Sequence, residues 1–455
     1  MGATSPTAIR DMGMKVSGRL AVLLLVTALA VLSVVLRENL QIALGYGAKQ
    51  LCSGVFVAAL PESFVLERDI LPRLAILGPA RSSLEFSVDR QAGIAEAKFL
   101  GATARAVHTR SGGCSLHSEA SGSPPLAPVP VPVSGREAGV PATLRPAYDK
   151  AFAEPSGGGR NTLALLVSRG GERIAERYAE PVTGGTRLQG WSMNKSLMAT
   201  WVGMQAARGA LDPQLSVREA LADEAAAEGI DPRLNLLHLL QMESGLDFAE
   251  VYGPGSDVTN MLYREPAMWT VPAAVGQAVA PGERFAYSSG DTVLASKVWQ
   301  GSLDKPYAQW IREQFSEPLG LRSLVAEADA SGVQVGSSYA NLTGRDWLAV
   351  GQLWLDAWHD RSILLGHEWL RASVMPRDSD PRGQYGRGFW LNTGGVNFPG
   401  LPDSLFFASG NAGQSVIVVP QWELVVVRLG LTEADTASGL HDFLLALVPA
   451  LELEQ

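Results

Sequence analysis

The stretch Gly190-Trp191-Ser192-Met193-Asn194-Lys195-Ser196 decides how this chain is read. Ser192 and Lys195 stand three apart at the start of an apolar helical run. Residues at that spacing share one face of a helix, so the lysine amine is expected beside the serine oxygen. A serine hydroxyl is a weak nucleophile until a base takes its proton, and a partly desolvated lysine has its pKa lowered toward that task. The helix start leaves the backbone N–H of Ser192 free, aimed at where an oxyanion would form. Alone the pattern is weak, because a serine and a lysine three apart arise by chance and usually mark a solvated helix face.

Two stretches further along strengthen it. Pro281 to Gly290 is a turn-rich loop in which Tyr287 and Ser289 place a phenol and a hydroxyl together. A tyrosine near an ammonium ionises more readily and could pass protons between a nucleophile and a leaving group. For any single tyrosine, a buried ring with a satisfied hydroxyl is the commoner explanation. Ala408-Ser409-Gly410-Asn411-Ala412-Gly413-Gln414 then leads into a strand. Its small residues would let that strand approach a substrate closely, and an amide there could be the second oxyanion donor.

Around these motifs the chain is β-rich at its ends and helical in its middle. Asn161–Val167 and Glu172–Ala179 flank Arg169-Gly170-Gly171, a hairpin signal, and Gln414–Pro420 and Glu423–Leu429 form a second hairpin around Gln421-Trp422. Helical windows fall at Ser196–Ala207, Leu234–Met242 and Gly344–Trp358, with helical spacing again from Ala437 to Leu451. Strands from both ends are therefore expected to pair in one sheet. The intervening helices would make a second lobe, with a cleft at the seam.

With these elements in this order, the chain resembles the serine β-lactamase and penicillin-binding-protein superfamily. More narrowly it is similar to the class C β-lactamase-related hydrolases that include esterases and 6-aminohexanoate-dimer hydrolases. The closer match is carried by Trp191–Ser196, Met242–Phe248, Ser256-Asp257-Val258, Phe285–Asp291, Gly388–Asn392 and Gly413-Gln414. Cys52-Ser53-Gly54-Val55-Phe56 also looks like the leader region of some exported members. The resemblance implies a two-lobed α/β (α+β) fold, an antiparallel sheet flanked by helices plus a mostly helical lobe. It implies Ser192 as the acylated nucleophile, Lys195 as its base partner and Tyr287 in proton transfer. Ser289 would be the polar third position of the tyrosine motif, and the amides of Ser192 and Gln414 the oxyanion hole. Ser289, Asn411 and Gly413 would contact substrate. One position departs from the family pattern: the third motif normally opens with Lys or His, and here that place falls to Asn411, followed by Ala412. Asn411 carries no charge to hold a substrate carboxylate, which favours a neutral or differently charged amide, peptide or ester over a β-lactam. A protein that keeps the fold but binds penicillins or senses peptides without turnover is the alternative.

Composition bounds the rest. The 455 residues carry 37 Lys+Arg against 46 Asp+Glu, a net charge of -9, with no basic block to neutralise a phosphate backbone, so nucleic acid is not an expected partner. There is no G-x-S-x-G elbow, no H-E-x-x-H and no Cys/His cluster, so neither a Ser-His-Asp arrangement nor a metal is expected, and no cofactor is implied. Leu20 to Leu36 is an uncharged apolar run between Arg19 and Arg37, with Arg10 and Lys15 preceding it. It reads as a single-pass anchor with residues 1–19 in the cytoplasm and the catalytic part exported to the periplasm or cell exterior; a cleaved signal peptide is the competing reading. In an oxidising compartment Cys52 and Cys114 are expected to pair. Residues 37–120 then read as a small β-containing region, with His108 and His117 on its surface. The Pro-rich residues 121–138 read as a linker and 139–455 as the hydrolase domain.

Overall fold

The computed structural model describes residue 27 and residues 36–109, 113–117, 139–253 and 255–453. The apolar run at 20–36 and the Pro-rich linker at 121–138 lie outside or almost wholly outside these residues. Among the described residues no helix is long and apolar enough to cross a membrane.

The main sheet has six strands: β5 (Thr162–Arg169), β6 (Glu172–Tyr178), β10 (Trp390–Leu391), β11 (Phe406–Gly410), β12 (Gln414–Val419) and β13 (Leu424–Gly430). Their order is β10-β11-β12-β13-β5-β6, antiparallel throughout, so the two chain ends meet where β13 pairs with β5. Both hairpins read from the sequence are present. Gly170 and Gly171 turn the first with φ of 59° and 81°, values that suit a two-residue hairpin turn and cost glycine little.

Alternate residues of the sheet serve different layers. Leu165, Val167, Ile417, Leu424 and Val426 face helices α2 (Arg145–Phe152) and α6 (Leu440–Ala450), where Tyr148, Phe443 and Leu444 pack. Ala164, Leu166, Val416, Val425 and Val427 face the opposite core, which holds α3 (Asn194–Ala207), α4 (Ser289–Gly301) and α5 (Gly344–Trp358). A sheet covered on both faces favours apolar residues at successive positions, which is why Leu163–Val167 in β5, Val416–Val419 in β12 and Leu424–Val427 in β13 read as hydrophobic runs. Each fully buried Val or Leu here contributes about 1.5–3 kcal/mol. A small sheet of β7 (Leu188–Gln189), β8 (Val325–Ala326) and β9 (Ala340–Leu342), in the order β7-β9-β8, links the segment before α3 to the helical lobe.

The N-terminal region does not stand apart as the linker suggested. Helix α1 covers residues 36–52, and β1 (Glu85–Asp89), β2 (Ile94–Phe99), β3 (Ala102–Thr109) and β4 (Gly113–Leu116) form a four-stranded sheet. The strands expected at Ala97–Leu100 and Thr103–Thr109 are β2 and β3. Cys52 and Cys114 are bonded, tying the end of α1 to β4. This sheet offers mainly the small Ala95, Ala97 and Ala106 to its buried face, and so short a region rarely completes a core alone. Its apolar residues, with Ile42, Leu44 and Leu51 of α1, join the same core as α3, α4, α5 and one face of the main sheet. His108, expected at the surface, instead stacks on Phe56 with ring centroids 5.5 Å apart, and burial pulls its pKa down; His117 is exposed.

The seam is made of ions. Lys49 Nζ lies 2.8 Å from both Glu327 Oε2 and Ser53 Oγ, and 3.9 Å above the centre of the Tyr339 ring. Glu327 also accepts from the Cys114 N–H at 2.7 Å, the Ser53 hydroxyl at 3.0 Å and Asn341 Nδ2 at 3.3 Å. Both side chains are all but excluded from solvent. Burial lowers the Lys49 pKa, and the Glu327 carboxylate opposes that shift.

Candidate active site

The candidate nucleophile sits on a strained turn. Trp191 has φ of 49°, in the left-handed region that a bulky side chain enters at a cost of about 1–3 kcal/mol. Its ring is buried and meets Tyr339 at 6.4 Å between centroids, which holds the turn. Met242 and Ala412, at φ of 59° and 62°, are two more non-glycine residues in that region. The turn at Trp191–Met193 runs straight into α3, with Ser192 half-buried and Lys195, at 1% exposure, one turn further on.

Lys195 Nζ lies 3.1 Å from Ser192 Oγ, 3.0 Å from Ser289 Oγ and 3.2 Å from the carbonyl oxygen of Ser337. An ammonium has three N–H groups, and these three acceptors use them all. The same Nζ is 4.8 Å from the centre of the Tyr287 ring. Tyr287 is half-buried, stacked on Trp390 at 5.3 Å and edge-on to Tyr385 at 5.7 Å, while Phe285 tilts against Tyr385 at 5.5 Å. The loop carrying Tyr287 is fixed by Ala286 N–H to the Met242 carbonyl at 2.8 Å and by Phe285 N–H to the Ser379 carbonyl at 3.1 Å. Ser288 then caps α4, accepting from the Asp291 N–H at 3.0 Å.

Ser192, Lys195, Tyr287 and Ser289, predicted together from motif order alone, are therefore brought together. The third stretch is arranged differently from the expectation. Gln414 opens β12 opposite Gly410, and its buried carboxamide is taken up by both backbone groups of Gly430. The point at which this hairpin meets the nucleophile's turn is Gly410. A Cβ there would lie 2.1 Å from the Gly190 oxygen and 3.1 Å from Trp191 Cβ, so only glycine allows the approach. Ala408-Ser409-Gly410 of β11 thus runs beside Ser192, and exposed Asn411 begins the turn beyond it.

Positive charge near this turn is present but faces inward. Arg428, 1% exposed, donates to the carbonyl oxygens of Gly413 at 2.7 Å and Arg160 at 3.0 Å, and to the hydroxyls of Thr432 at 2.8 Å and Thr162 at 3.1 Å. Burial, with the Arg160 charge adding to it, pulls its pKa down to about 10, and Glu154 opposes that shift. It holds the Gly413 end of the turn from behind.

Sequence reading missed Glu250 and Tyr252. Glu250 Oε1 accepts from the Ser289 hydroxyl at 2.6 Å and Oε2 from the Ser289 N–H at 2.7 Å. The Tyr252 hydroxyl stands 3.3 Å from Glu250 Oε1 and 3.4 Å from Ser289 Oγ. Both residues lie in an irregular segment between the quoted stretches Met242–Phe248 and Ser256–Val258, where nothing periodic marks a position. Trp390 fell inside the quoted Gly388–Asn392 without a role; packing makes it the wall behind Tyr287. Among the described residues no group of His, Cys, Asp and Glu could hold a metal ion.

Below the site, the Asp291 carboxyl accepts from Ser244 Oγ at 2.8 Å and its second oxygen has no partner among the described residues. Burial raises its pKa from 3.8 to about 7. A folded-state pKa above the unfolded one means stability that is full below about pH 4 and lost as pH rises through about 7, by up to about 4 kcal/mol. Asp291→Asn should therefore raise Tm relative to the parent at pH 8 and have little effect at pH 4. Equal Tm differences at the two pH values, in thermal unfolding followed by circular dichroism, would refute this.

A two-lobed hydrolase architecture, with a serine and a lysine at its seam, is the class that fold and site define. The sequence pattern of the Beta-lactamase family matches residues 148–446, and the chain belongs to that family. A 6-aminohexanoate-dimer hydrolase from Paenarthrobacter ureafaciens is 25% identical over 296 residues, spanning 59% of this chain and 72% of that protein. Among solved structures, the hydrolase EstCE1, described as having promiscuous acyltransferase activity, superposes with a TM-score of 0.55 at 17% identity, covering 68% of this chain and 97% of its own. A penicillin-binding-protein homologue from Caulobacter crescentus gives 0.54 at 16% identity, covering 69% and 98%. These two structures establish the shared fold. The chain is thus a member of a β-lactamase-fold family of serine hydrolases.

Proposed function

We propose that this protein cleaves a neutral amide or ester through an acyl-enzyme on Ser192. The observation that carries the reading is the 3.1 Å contact between Ser192 Oγ and the buried Lys195 Nζ. Once Lys195 gives up its extra proton, it takes the proton of Ser192 as Oγ attacks the carbonyl carbon. The tetrahedral oxyanion is held by the Ser192 N–H and by an amide of the β11–β12 turn. Gln414 was the expected source of that amide; the close approach at Gly410 favours Asn411, the next residue. Tyr287, beside the ammonium, gives its proton to the leaving amine or alcohol as the bond to carbon breaks and takes one back from Lys195, which is neutral again. Water then adds to the acyl carbon as Lys195 takes one of its protons, Lys195 passes that proton to Ser192 Oγ as the acyl bond breaks, and the acid is released.

Ser289 positions Lys195, and Asn411 and Gly413 border the substrate. Ala408, Ser409 and Asn411 are neutral and Arg428 is turned away, so among the described residues of this strand and turn no cation faces a substrate carboxylate; this supports a neutral ester or amide over a β-lactam. The catalytic part is exported and tethered by residues 20–36, a reading supported by the disulfide between Cys52 and Cys114. Incubation with a fluorophosphonate, followed by tryptic mass spectrometry and a p-nitrophenyl ester assay, tests the chemistry. Modification of Ser192 together with ester turnover is expected. Modification without turnover of any ester or amide would favour a penicillin-binding or peptide-sensing role, and modification of another serine would sink the assignment.

A further inference from the structure

We propose that Glu250 is a positioning residue of this site, acting through Ser289 on Lys195; the inference rests on the acyl-enzyme reading above. Ser289 has one hydroxyl hydrogen, and the 2.6 Å contact to Glu250 Oε1 commits it to the carboxylate. The other carboxylate oxygen holds the Ser289 N–H at 2.7 Å, so the residue is gripped at two points. With its hydrogen spent, Ser289 Oγ offers only lone pairs toward Lys195 Nζ at 3.0 Å. Ser289 Oγ and the Ser337 carbonyl then fix two of the three ammonium hydrogens, which directs the third at Ser192 Oγ.

Glu250 stands one hydroxyl away from Lys195, and Ser289 between them is fully excluded from solvent, so bulk water does not stand in for the carboxylate. Glu250 thus acts on Lys195 by orientation, through Ser289.

In Glu250→Gln the side chain can accept only one of the two donors, and the charge is gone. The Ser289 hydroxyl is released to turn, and Lys195 loses one of its fixed acceptors. The rate of Ser192 modification by a fluorophosphonate, measured from pH 5 to 10 on the full chain, should fall about tenfold at its optimum. Glu250→Asp keeps two acceptor oxygens on a shorter arm and should recover part of that rate, a rescue that a merely structural lesion would not show. In a Ser289→Ala background, Glu250→Gln should cause no further loss of rate at the optimum. A Glu250→Gln protein modified at the parent's rate overturns the role of Glu250 and leaves the hydrolase reading standing. Failure of the parent to be modified at Ser192 overturns both.

Discussion

Ser192→Ala abolishes acylation and lowers ester turnover by about four orders of magnitude or more, the scale on which losing a nucleophile acts when the remaining groups work only through it. The fold should survive, because Lys195 keeps Ser289 Oγ and the Ser337 carbonyl as acceptors when Ser192 Oγ is removed. Ser192 is half-buried, and truncating it leaves no cavity of consequence, so Tm should shift by no more than a degree or two. Lys195→Met should cost nearly as much activity, and the double variant little more than either alone, since a base without a nucleophile has nothing to deprotonate. Undiminished hydrolysis in purified Ser192→Ala protein would refute the assignment outright.

Glu327→Ala should destabilise the protein by about 3–5 kcal/mol, because removing one partner of a buried ion pair leaves the other charge uncompensated. Here that charge is Lys49, which is excluded from water and reaches only Ser53 Oγ and the Tyr339 face once Glu327 is gone. Combining Glu327→Leu with Lys49→Met removes both charges, and such exchanges are often near neutral. In this protein the double exchange should recover only part of the loss. The Cys114 N–H, which now meets Glu327 Oε1 at 2.7 Å, would stay buried and unpaired at a cost of about 1–3 kcal/mol. Denaturant unfolding of the parent and the two variants checks the order: parent, double, then Glu327→Ala. A Glu327→Ala midpoint equal to the parent's would show that the cluster does not hold the two parts together. Tyr339 lies between Lys49 and Trp191, so the lesion is expected to reach the strained turn that presents Ser192.

Much of the catalytic part was legible before any coordinates. The spacing of Ser192 and Lys195 makes them neighbours on any helix, because a helix fixes what lies three residues apart. The hairpins at Gly170-Gly171 and Gln421-Trp422 are local events governed by turn chemistry, and both appear at the expected residues. The disulfide followed from having only two cysteines. The misplacements share one cause: they concern contacts between segments far apart in the chain. The third motif was set at Asn411 to Gln414 by analogy of letters. The structure brings Ala408-Ser409-Gly410 alongside Ser192 instead, because only the glycine backbone tolerates contact with Gly190. Residues 37–120 were read as a separate unit because a Pro-rich stretch follows them. Their apolar faces are completed by the catalytic lobe, which no local pattern records.

By itself, then, the sequence determined the hairpins, the helix carrying Ser192 and Lys195, and the family's order of motifs, since each depends on residues a few positions apart. Only the tertiary structure decided that Ser289 is held by Glu250, that Tyr287 stands against Trp390, that Arg428 turns inward and that Lys49 is buried on Glu327. Those pairings span up to 278 residues of chain. A charge or hydroxyl acquires its partner only when burial removes water as the alternative, and burial is a property of the folded whole.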